Sequence, residues 1–240
     1  EAAEKRAAGE KLLDLRLGLG YTAALLDDGS AGLAFTFRRE LGIQCALVEE
    51  AGTLAGRSCA ELLPWAGGTN LAKAAIGLAI MNALFQGQEP VWRQGDAIQE
   101  LKIEPGDTLG MIGYFKPVLE RFKGVASRLY IFERNGTEEE NVYPDWAANM
   151  YLPQCDVVVI TATTLLNKTL DHILQLSSRA REIALIGPSA PLCPDVFRKT
   201  GITLLAGVVV KKPQRVLQII GEGGGGLSLG ENVEQVFLRF

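Results

Sequence analysis

The second half of the chain alternates between two kinds of segment. Beyond residue 107, short runs rich in Val, Ile and Leu are separated by stretches whose apolar residues recur at helical spacing. The apolar runs are "TLGMIGYF", "SRLYIFER", "DVVVITAT", "EIALIGPS" and "ITLLAGVVV". Strands that are apolar on both faces must be covered on both faces, which is typical of parallel sheets flanked by helices. The pattern predicts an α/β fold with a mostly parallel, doubly wound sheet.

The first half of the chain has a different pattern. Residues 1–20 have the spacing of an amphipathic helix, and "YTAALLDDGSAGLAFTF" places two apolar runs around a turn-forming Asp-Asp-Gly-Ser, which predicts a hairpin. Helical spacing returns in "GGTNLAKAAIGLAIMNALFQG", where Thr69 can cap the helix. We expect a small α+β domain over residues 1–95. The polar segment 88–107, with two prolines and two glycines, separates it from an α/β domain over residues 96–240.

The charge pattern argues against two classes of partner. The formal net charge is −4 and the two signs are interspersed, which leaves no basic surface for nucleic acid or an anionic membrane. The first residues lack the apolar core of a signal peptide. The longest apolar helical stretch, residues 71–85, contains Lys73 and is shorter than the roughly 20 residues that cross a bilayer. We expect a cytoplasmic protein with a small-molecule partner, and assembly into a homo-oligomer is left open.

The metal-ligating residues are few and scattered. The four cysteines, Cys45, Cys59, Cys155 and Cys193, form no Cys-x-x-Cys pair, and His172 is the single histidine. A structural zinc site needs about four soft or imidazole ligands at suitable spacings. The sequence therefore predicts free buried thiols and no preformed metal site, and it leaves the cofactor unknown.

Ligands of open α/β sheets bind beyond the carboxyl ends of the strands, at the point where the strand order reverses. The first strand is followed by Gly113, Tyr114 and Phe115. The glycine allows a tight turn, but bulky rings disfavour the close backbone approach that a pyrophosphate requires. The aromatic side chains suit stacking on a flat ring, or they only fill space between strand and helix.

Three further stretches follow strand ends. Glu133 comes 20 residues after Gly113, the offset of a ribose-binding carboxylate in nucleotide-binding folds, although charged residues also end strands without a function. "TATTLLNKT" offers Thr161, Thr163 and Asn167 for a polar pocket, although Asn167 also suits a helix cap. "GPSAPLCP" is a stiff loop, and we expect its Ser189 and exposed amides to complete the pocket rim.

For two other features we expect a structural role and not a catalytic or binding one. His172 lies a few residues into the helix after "TATTLLNKT", and a lone histidine is more often structural than catalytic. "GEGGGG" at 221–226 is not followed by Lys-Ser or Lys-Thr, so it is interpreted as a flexible turn and not as a phosphate-binding loop.

The same stretches carry a resemblance to a known family. "GGTNLAKAAIGLAIMNAL" in the first half, with "MIGYFKP", "CDVVVITATTLLNKTLDHIL", "LIGPSAPL" and "AGVVV" in the second, resembles the "putative heavy-metal chelation" family. In that family an enolase N-terminal-like domain precedes a Rossmann-like domain that partly resembles methyltransferases. The resemblance implies an active site between the two domains. Its residues here would be Thr69, Asn70 and Asn82 from the first domain and Tyr114, Phe115, Glu133, Thr161, Thr163, Asn167, Pro188 and Ser189 from the second.

The resemblance implies condensation or hydrolysis of a pterin-, flavin- or siderophore-like compound linked to heavy-metal chelation. In this interpretation Glu133 is the acid/base and the Thr/Asn cluster positions the substrate. The alternative is a non-catalytic carrier of a metal chelate or nucleoside-like ligand. A methyltransferase using S-adenosylmethionine is a third hypothesis, which the absence of a glycine-rich first turn weakens. Because soft metals prefer Cys and His ligands, we expect the metal to be held by an organic chelator and not by the protein.

Overall fold

The structure, a computed structural model, describes residues 1–42, 46–86, 92–134 and 139–240. Cys45 and the first residues of the expected linker lie outside the described residues. The strands are, in chain order, β1 (Leu12–Leu17), β2 (Tyr21–Leu26), β3 (Ala31–Phe35), β4 (Arg93–Gln94), β5 (Thr108–Ile112), β6 (Arg128–Glu133), β7 (Val142–Pro144), β8 (Val157–Thr161), β9 (Glu182–Ile186), β10 (Leu204–Val210) and β11 (Val233–Arg239). The α-helices are α1 (Ala2–Ala7), α2 (Cys59–Leu62), α3 (Leu71–Leu84), α4 (Lys116–Phe122), α5 (Ala148–Tyr151), α6 (Leu170–Leu176), α7 (Pro194–Phe197), α8 (Pro213–Gly221) and α9 (Gly226–Leu229).

The first half forms a small antiparallel sheet with the order β1-β2-β3. The predicted hairpin is confirmed, and its turn contains Gly29 at a φ of 87°. Alternate residues of β2 enter two different cores: Ala24 and Leu26 pack with α3, whereas Ala23 and Leu25 pack with α8. The small sheet therefore lies between a helix of its own half and a helix from the end of the chain.

The prediction of a helix over residues 1–20 is wrong beyond α1. Gly9, at a φ of 94°, follows the end of this short helix. The next residues, "LLDLRL", alternate with a period of two and form β1, which pairs with β2. Pairing with a neighbouring strand outweighs the helical spacing that the sequence also allows.

The second half forms an eight-stranded sheet with the order β4-β11-β10-β9-β8-β5-β6-β7. The strands from β10 to β7 in this order are parallel to their neighbours, whereas β11 and β4 are antiparallel. The prediction of a small antiparallel unit followed by a mostly parallel α/β sheet is confirmed. The chain runs from β5 outward to β7 and then returns to β8 on the other side of β5. The carboxyl ends of β5 and β8 therefore form the switch point.

Elements on each side of the expected boundary between residues 95 and 96 pack against the other half of the chain. β4 lies before this boundary and pairs with β11, while α8 lies far beyond it and packs on the small sheet. Gln86 also bridges the halves, because its side chain donates to the Val208 carbonyl at 2.9 Å and accepts from the Val210 amide at 2.7 Å. The boundary itself stays a prediction. None of the helices in the described part of the chain has the length and apolarity that crossing a bilayer requires.

Candidate functional site: a cleft at the switch point

A cleft of about 760 Å³ lies at the carboxyl ends of β5, β6 and β8. This volume is within the range of small-molecule sites. The small sheet supplies one wall and the large sheet supplies the others, so the cleft lies between the two halves of the chain. Its lining residues are drawn from segments 19–21, 35–40, 112–115, 132–134, 145–149, 161–176 and 225–226.

Glu133 and the turn after β5 form one part of the lining. Gly113 has a φ of 89°, and its amide donates to the Phe132 carbonyl at 3.0 Å. The amide of Tyr114 donates to Oε1 of Glu133 at 2.7 Å. The other carboxylate oxygen of Glu133 has no hydrogen-bond partner in the described ranges. The carboxylate at the 20-residue offset thus fixes the turn with one oxygen and leaves the second for a ligand.

The predicted polar cluster follows β8 as a compact turn. Thr161 accepts from the Thr163 amide at 3.4 Å, and the two hydroxyls lie 3.1 Å apart. Asn167 accepts from the hydroxyl of Thr169 at 2.7 Å. These residues line the cleft. Since much of their hydrogen bonding is internal, the turn is rigid before any ligand binds.

Arginines lie on the cleft wall where the chain after β3 meets the end of β6. Arg134 pairs with Glu40 at 3.1 Å, and its guanidinium carbon lies 5.3 Å from the centre of the Phe37 ring. Arg38 and Arg39 are exposed, line the cleft and have no ion pair within the described parts of the chain. The wall therefore offers two uncompensated positive charges to a ligand.

The glycine-rich stretch closes another side of the cleft. Gly225 and Gly226 line the cleft beside Gly20 and Tyr21. A Cβ atom at Gly20 would lie 3.4 Å from the Gly224 carbonyl oxygen, so the two backbones pass close together. The sequence analysis interpreted this stretch as a flexible turn and did not predict that it lines the cleft.

The single histidine also lies in the cleft. Nε2 of His172, in α6, is 2.8 Å from Oδ1 of Asn149, in α5. Nδ2 of Asn149 donates to the Trp146 carbonyl at 3.0 Å. All three residues line the cleft, so an imidazole lies in this site and is held by a neighbouring amide.

Large apolar side chains surround the entrance. The exposed fractions are 65% for Trp146, 60% for Leu19 and 42% for Tyr114. A hydrogen bond to Glu139 raises the pKa of the Tyr114 phenol, and the negative charges of Glu139 and Glu120 raise it further. The Tyr114 hydroxyl therefore keeps its proton over the whole neutral range and donates it to Glu139, so its oxygen can only accept a hydrogen bond from a ligand.

The structure brings together six of the predicted site residues and separates the other five from the cleft lining. The six are Tyr114, Phe115, Glu133, Thr161, Thr163 and Asn167. Asn70 instead caps α3, accepting from the Ala72 amide at 3.0 Å, while Thr69 lies exposed before it. The helix cap expected at Thr69 is thus one residue later.

The remaining predicted residues join the two halves behind the cleft. Asn82 donates to the carbonyls of Leu33, at 2.6 Å, and Pro188, at 3.4 Å. Ser189 is 1% exposed and accepts from the Phe35 amide at 2.8 Å. Because Phe35 lines the cleft, these residues support its wall from the back.

The described residues contain no group of three or more His, Cys, Asp or Glu side chains that could hold a metal ion. Burial raises the pKa of the Cys59 and Cys155 thiols to about 12, with nearby carboxylates adding to the shift. Burial also raises the pKa of Cys193. Thiolates are the metal-binding form of cysteine, and burial disfavours this form for the three side chains in the metal-free protein.

Sequence reasoning missed the wall at 35–40, the segment at 145–149 and the role of His172. One signal was present: "FTFRRE" places two aromatic residues and two arginines directly after a predicted strand. Nothing in the sequence alone indicates that this strand end meets the switch point of the other sheet.

Comparisons with known proteins agree with this architecture. A family model described as "Putative heavy-metal chelation" matches residues 96–239, and a second model with the same description matches residues 1–85. An uncharacterized protein of Methanocaldococcus jannaschii is 28% identical over 207 residues, which cover 82% of this chain and 77% of that protein.

Two crystal structures of proteins with unknown function have the same fold. One from Pyrococcus horikoshii has a TM-score of 0.87, and one from Desulfitobacterium hafniense has a TM-score of 0.81. Each is 25% identical, and each match covers 100% of this chain and 97% of the other. Since the family model over residues 96–239 alone matches more than half of the chain, the protein belongs to the family described as "Putative heavy-metal chelation".

Proposed function

We propose that the protein is an enzyme that condenses or hydrolyses a flat heteroaromatic small molecule of the pterin, flavin or siderophore type. The observation that carries this proposal is the cleft at the switch point, with its aromatic entrance and its hydrogen-bonded polar floor. Aromatic side chains suit the faces of a planar ring, while the polar groups suit heteroatoms at its edge. The proposal concerns this pocket, because fold alone does not determine function.

Glu133 has two roles in this proposal. Its Oε1 holds the Tyr114 amide, and its Oε2 is available to a ring nitrogen or hydroxyl of the ligand. Glu133 therefore serves best as a positioning and ligand-binding group, and as a proton acceptor only through its free oxygen.

The same hydrogen bond favours a second candidate, a non-catalytic carrier. If Glu133 only fixes the turn after β5, the cleft needs no proton transfer to bind a planar ligand. The two candidates share a ligand class and differ in whether the ligand changes during incubation.

We propose that the organic ligand, and not the protein, binds the heavy metal. The raised pKa values of the buried thiols and the scattered acidic residues support this view. We expect titration of ligand-free protein with Zn²⁺ or Cd²⁺ to detect only weak binding. High-affinity binding that is lost on a conservative change at Cys155 or His172 would instead place the metal on the protein.

Ligand binding can be tested through Trp146, which is exposed at the entrance. Titration with 6-carboxypterin, flavin mononucleotide and a catechol siderophore should quench tryptophan fluorescence for at least one probe. The matched control is Trp146→Phe, which keeps an aromatic ring and removes the reporter. Absence of quenching and of thermal stabilisation with every probe would refute the ligand class.

Turnover separates the enzyme from the carrier. In hydrolysis, protein incubated with a small-molecule extract should convert a retained compound into two products whose summed mass exceeds that of the compound by one water. In condensation, the single product should weigh one water less than its two reactants together. A compound that is retained without change over long incubation supports the carrier.

A further inference from the structure

The orientation of Asn149 determines which nitrogen of His172 carries a proton. The side-chain amide lies between the Trp146 carbonyl, at 3.0 Å, and the His172 ring, at 2.8 Å. A carbonyl can only accept a hydrogen bond, so the NH₂ group of Asn149 must face it. Oδ1 of Asn149 therefore faces the imidazole, and Nε2 of His172 must be the donor.

This arrangement leaves a free lone pair on the other ring nitrogen. In a neutral imidazole one nitrogen donates and the other accepts. With the proton on Nε2, Nδ1 carries the lone pair, and it has no hydrogen-bond partner in the described part of the chain. A histidine whose second nitrogen is fixed by a neighbouring group is the arrangement that general bases use.

We propose that His172 is the catalytic base of the cleft and that Asn149 is its positioning residue. The proposal rests on the proposed function. In hydrolysis, Nδ1 accepts a proton from a water molecule as its oxygen forms a bond to the substrate carbon. The bond to the leaving oxygen or nitrogen then breaks, and the proton passes from Nδ1 to that atom. The net reaction adds one water and leaves the imidazole unchanged.

The ring of His172 is held by a residue of a separate element, and both side chains are exposed at the cleft. His172 lies on α6 and Asn149 on α5, and both line the same cleft. The amide is anchored in turn to the backbone of the 3₁₀-helix at 145–147, so the ring is held through a chain of two hydrogen bonds.

The site of alkylation by iodoacetate tests the assignment without a known substrate. Only a nitrogen with a free lone pair attacks the reagent, and the two carboxymethylhistidines separate by chromatography after hydrolysis. His172 is the single histidine, so each product reports on one side chain. We expect the Nδ1 product to exceed the Nε2 product by about fivefold, the ratio that corresponds to one hydrogen bond of ordinary strength.

Two variants test Asn149. Asn149→Ala removes the acceptor and should shift alkylation toward Nε2, to the ratio measured for N-acetylhistidine. Asn149→Asp keeps an acceptor oxygen at the same place and should retain the Nδ1 product. Circular dichroism and thermal unfolding of all three proteins show whether the fold is unchanged. Predominant Nε2 alkylation of the wild type, or an equal ratio in wild type and Asn149→Ala, would overturn the proposal.

Protection by 6-carboxypterin separates this proposal from the proposed function. Slower alkylation of Nδ1 in its presence supports both. Rapid Nδ1 alkylation that none of the three probes slows, combined with no binding of any of them, rejects the ligand class and leaves the assignment of His172 in place. Pterin binding with Nε2 alkylation rejects His172 and leaves the ligand class in place. Peptide mapping distinguishes histidine products from alkylated cysteines.

Discussion

The two edges of the parallel sheet are built differently. At the edge where the strands begin, Arg181 donates to both oxygens of Asp107, at 2.7 and 2.6 Å. At the same edge Arg239 donates to both oxygens of Glu182, at 3.2 and 2.8 Å. At the edge where the strands end, Arg38 lines the cleft without an ion pair in the described ranges.

We expect the edge where the strands begin to contribute to stability and the edge where they end to contribute to ligand binding. Two-point pairing of arginine with a largely buried carboxylate fixes the start of β5 and β9, and a change there affects the free energy of unfolding. Exposed charges without a partner contribute little to that free energy. In the proposed function these charges contact an anionic group of the ligand, so substitutions at the two edges should change different quantities.

The largest effect on stability is expected for Arg181→Ala. Asp107 is 7% exposed, and the substitution leaves its carboxylate buried without a counter-charge. We expect a loss of about 2 to 3 kcal/mol, below the value for fully buried pairs because the Arg181 side chain is partly exposed. Urea unfolding measures the loss, with Arg179→Ala in the same loop as the matched control.

The pH dependence of this loss has a defined sign. The hydrogen bonds from Arg181 hold the pKa of Asp107 below its usual range, although burial opposes them. Asp107 therefore contributes stability that is present above about pH 4 and is lost as the pH falls through its folded-state pKa. The difference between wild type and Arg181→Ala should shrink as the pH falls below about 4. A difference that stays constant down to this range would show that packing, and not charge, is responsible.

The parallel strands could be predicted, because their information is local. β5, β8 and β9 are continuous apolar runs, and such runs have few alternatives to a buried strand. β11 was not predicted, since "VEQVFLR" mixes polar and apolar residues and becomes a strand by pairing with β10. Edge strands depend on a neighbour that a local pattern does not contain.

The site was predictable only in part for the same reason. Tyr114, Glu133 and Thr161 follow strands of one sheet, so the switch-point rule brings them together. Arg38 follows a strand of the other sheet. Its position at the cleft depends on how the two halves of the chain pack together, which Gln86 and the residues behind the cleft stabilise. Contacts between distant segments leave no periodic signal in the sequence.

The double substitution Arg38→Ala/Arg39→Ala tests the role of the edge where the strands end, which we call the binding edge. We expect the affinity for 6-carboxypterin to fall about tenfold, since the contacts of two exposed arginines with a carboxylate together contribute on the order of 1.4 kcal/mol. Stability should stay within about 0.5 kcal/mol of the wild type. Fluorescence titration and urea unfolding measure the two quantities.

Uncharged pterin is the matched control ligand for this experiment. It lacks the carboxylate and should bind the wild type and the double variant equally. An equal loss for both ligands would mean that the arginines act through packing. A loss of stability comparable to that of Arg181→Ala would remove the distinction between the two edges.

A smaller effect is expected at Glu133, which belongs to the binding edge but also makes a structural contact. Glu133→Ala removes the acceptor of the Tyr114 amide and should cost about 1 kcal/mol, because the group is partly exposed. Glu133→Gln keeps an acceptor oxygen and should unfold at nearly the wild-type urea concentration. If Glu133→Gln binds ligand normally but loses turnover, the acid/base role belongs to Glu133 and not to His172.

The smallest effect is expected at Tyr114, whose hydroxyl lies at the cleft and contacts Glu139. Since the folded-state pKa is raised, the unfolded chain loses this proton first as the pH rises. The contribution to stability is therefore present below about pH 10 and is lost above it. Carbon NMR of labelled tyrosine should show a late titration that Glu139→Gln moves toward the ordinary value. Tyr21, whose pKa is raised by burial, should keep its shift in that variant and at high salt, because salt screens a charge but leaves burial unchanged.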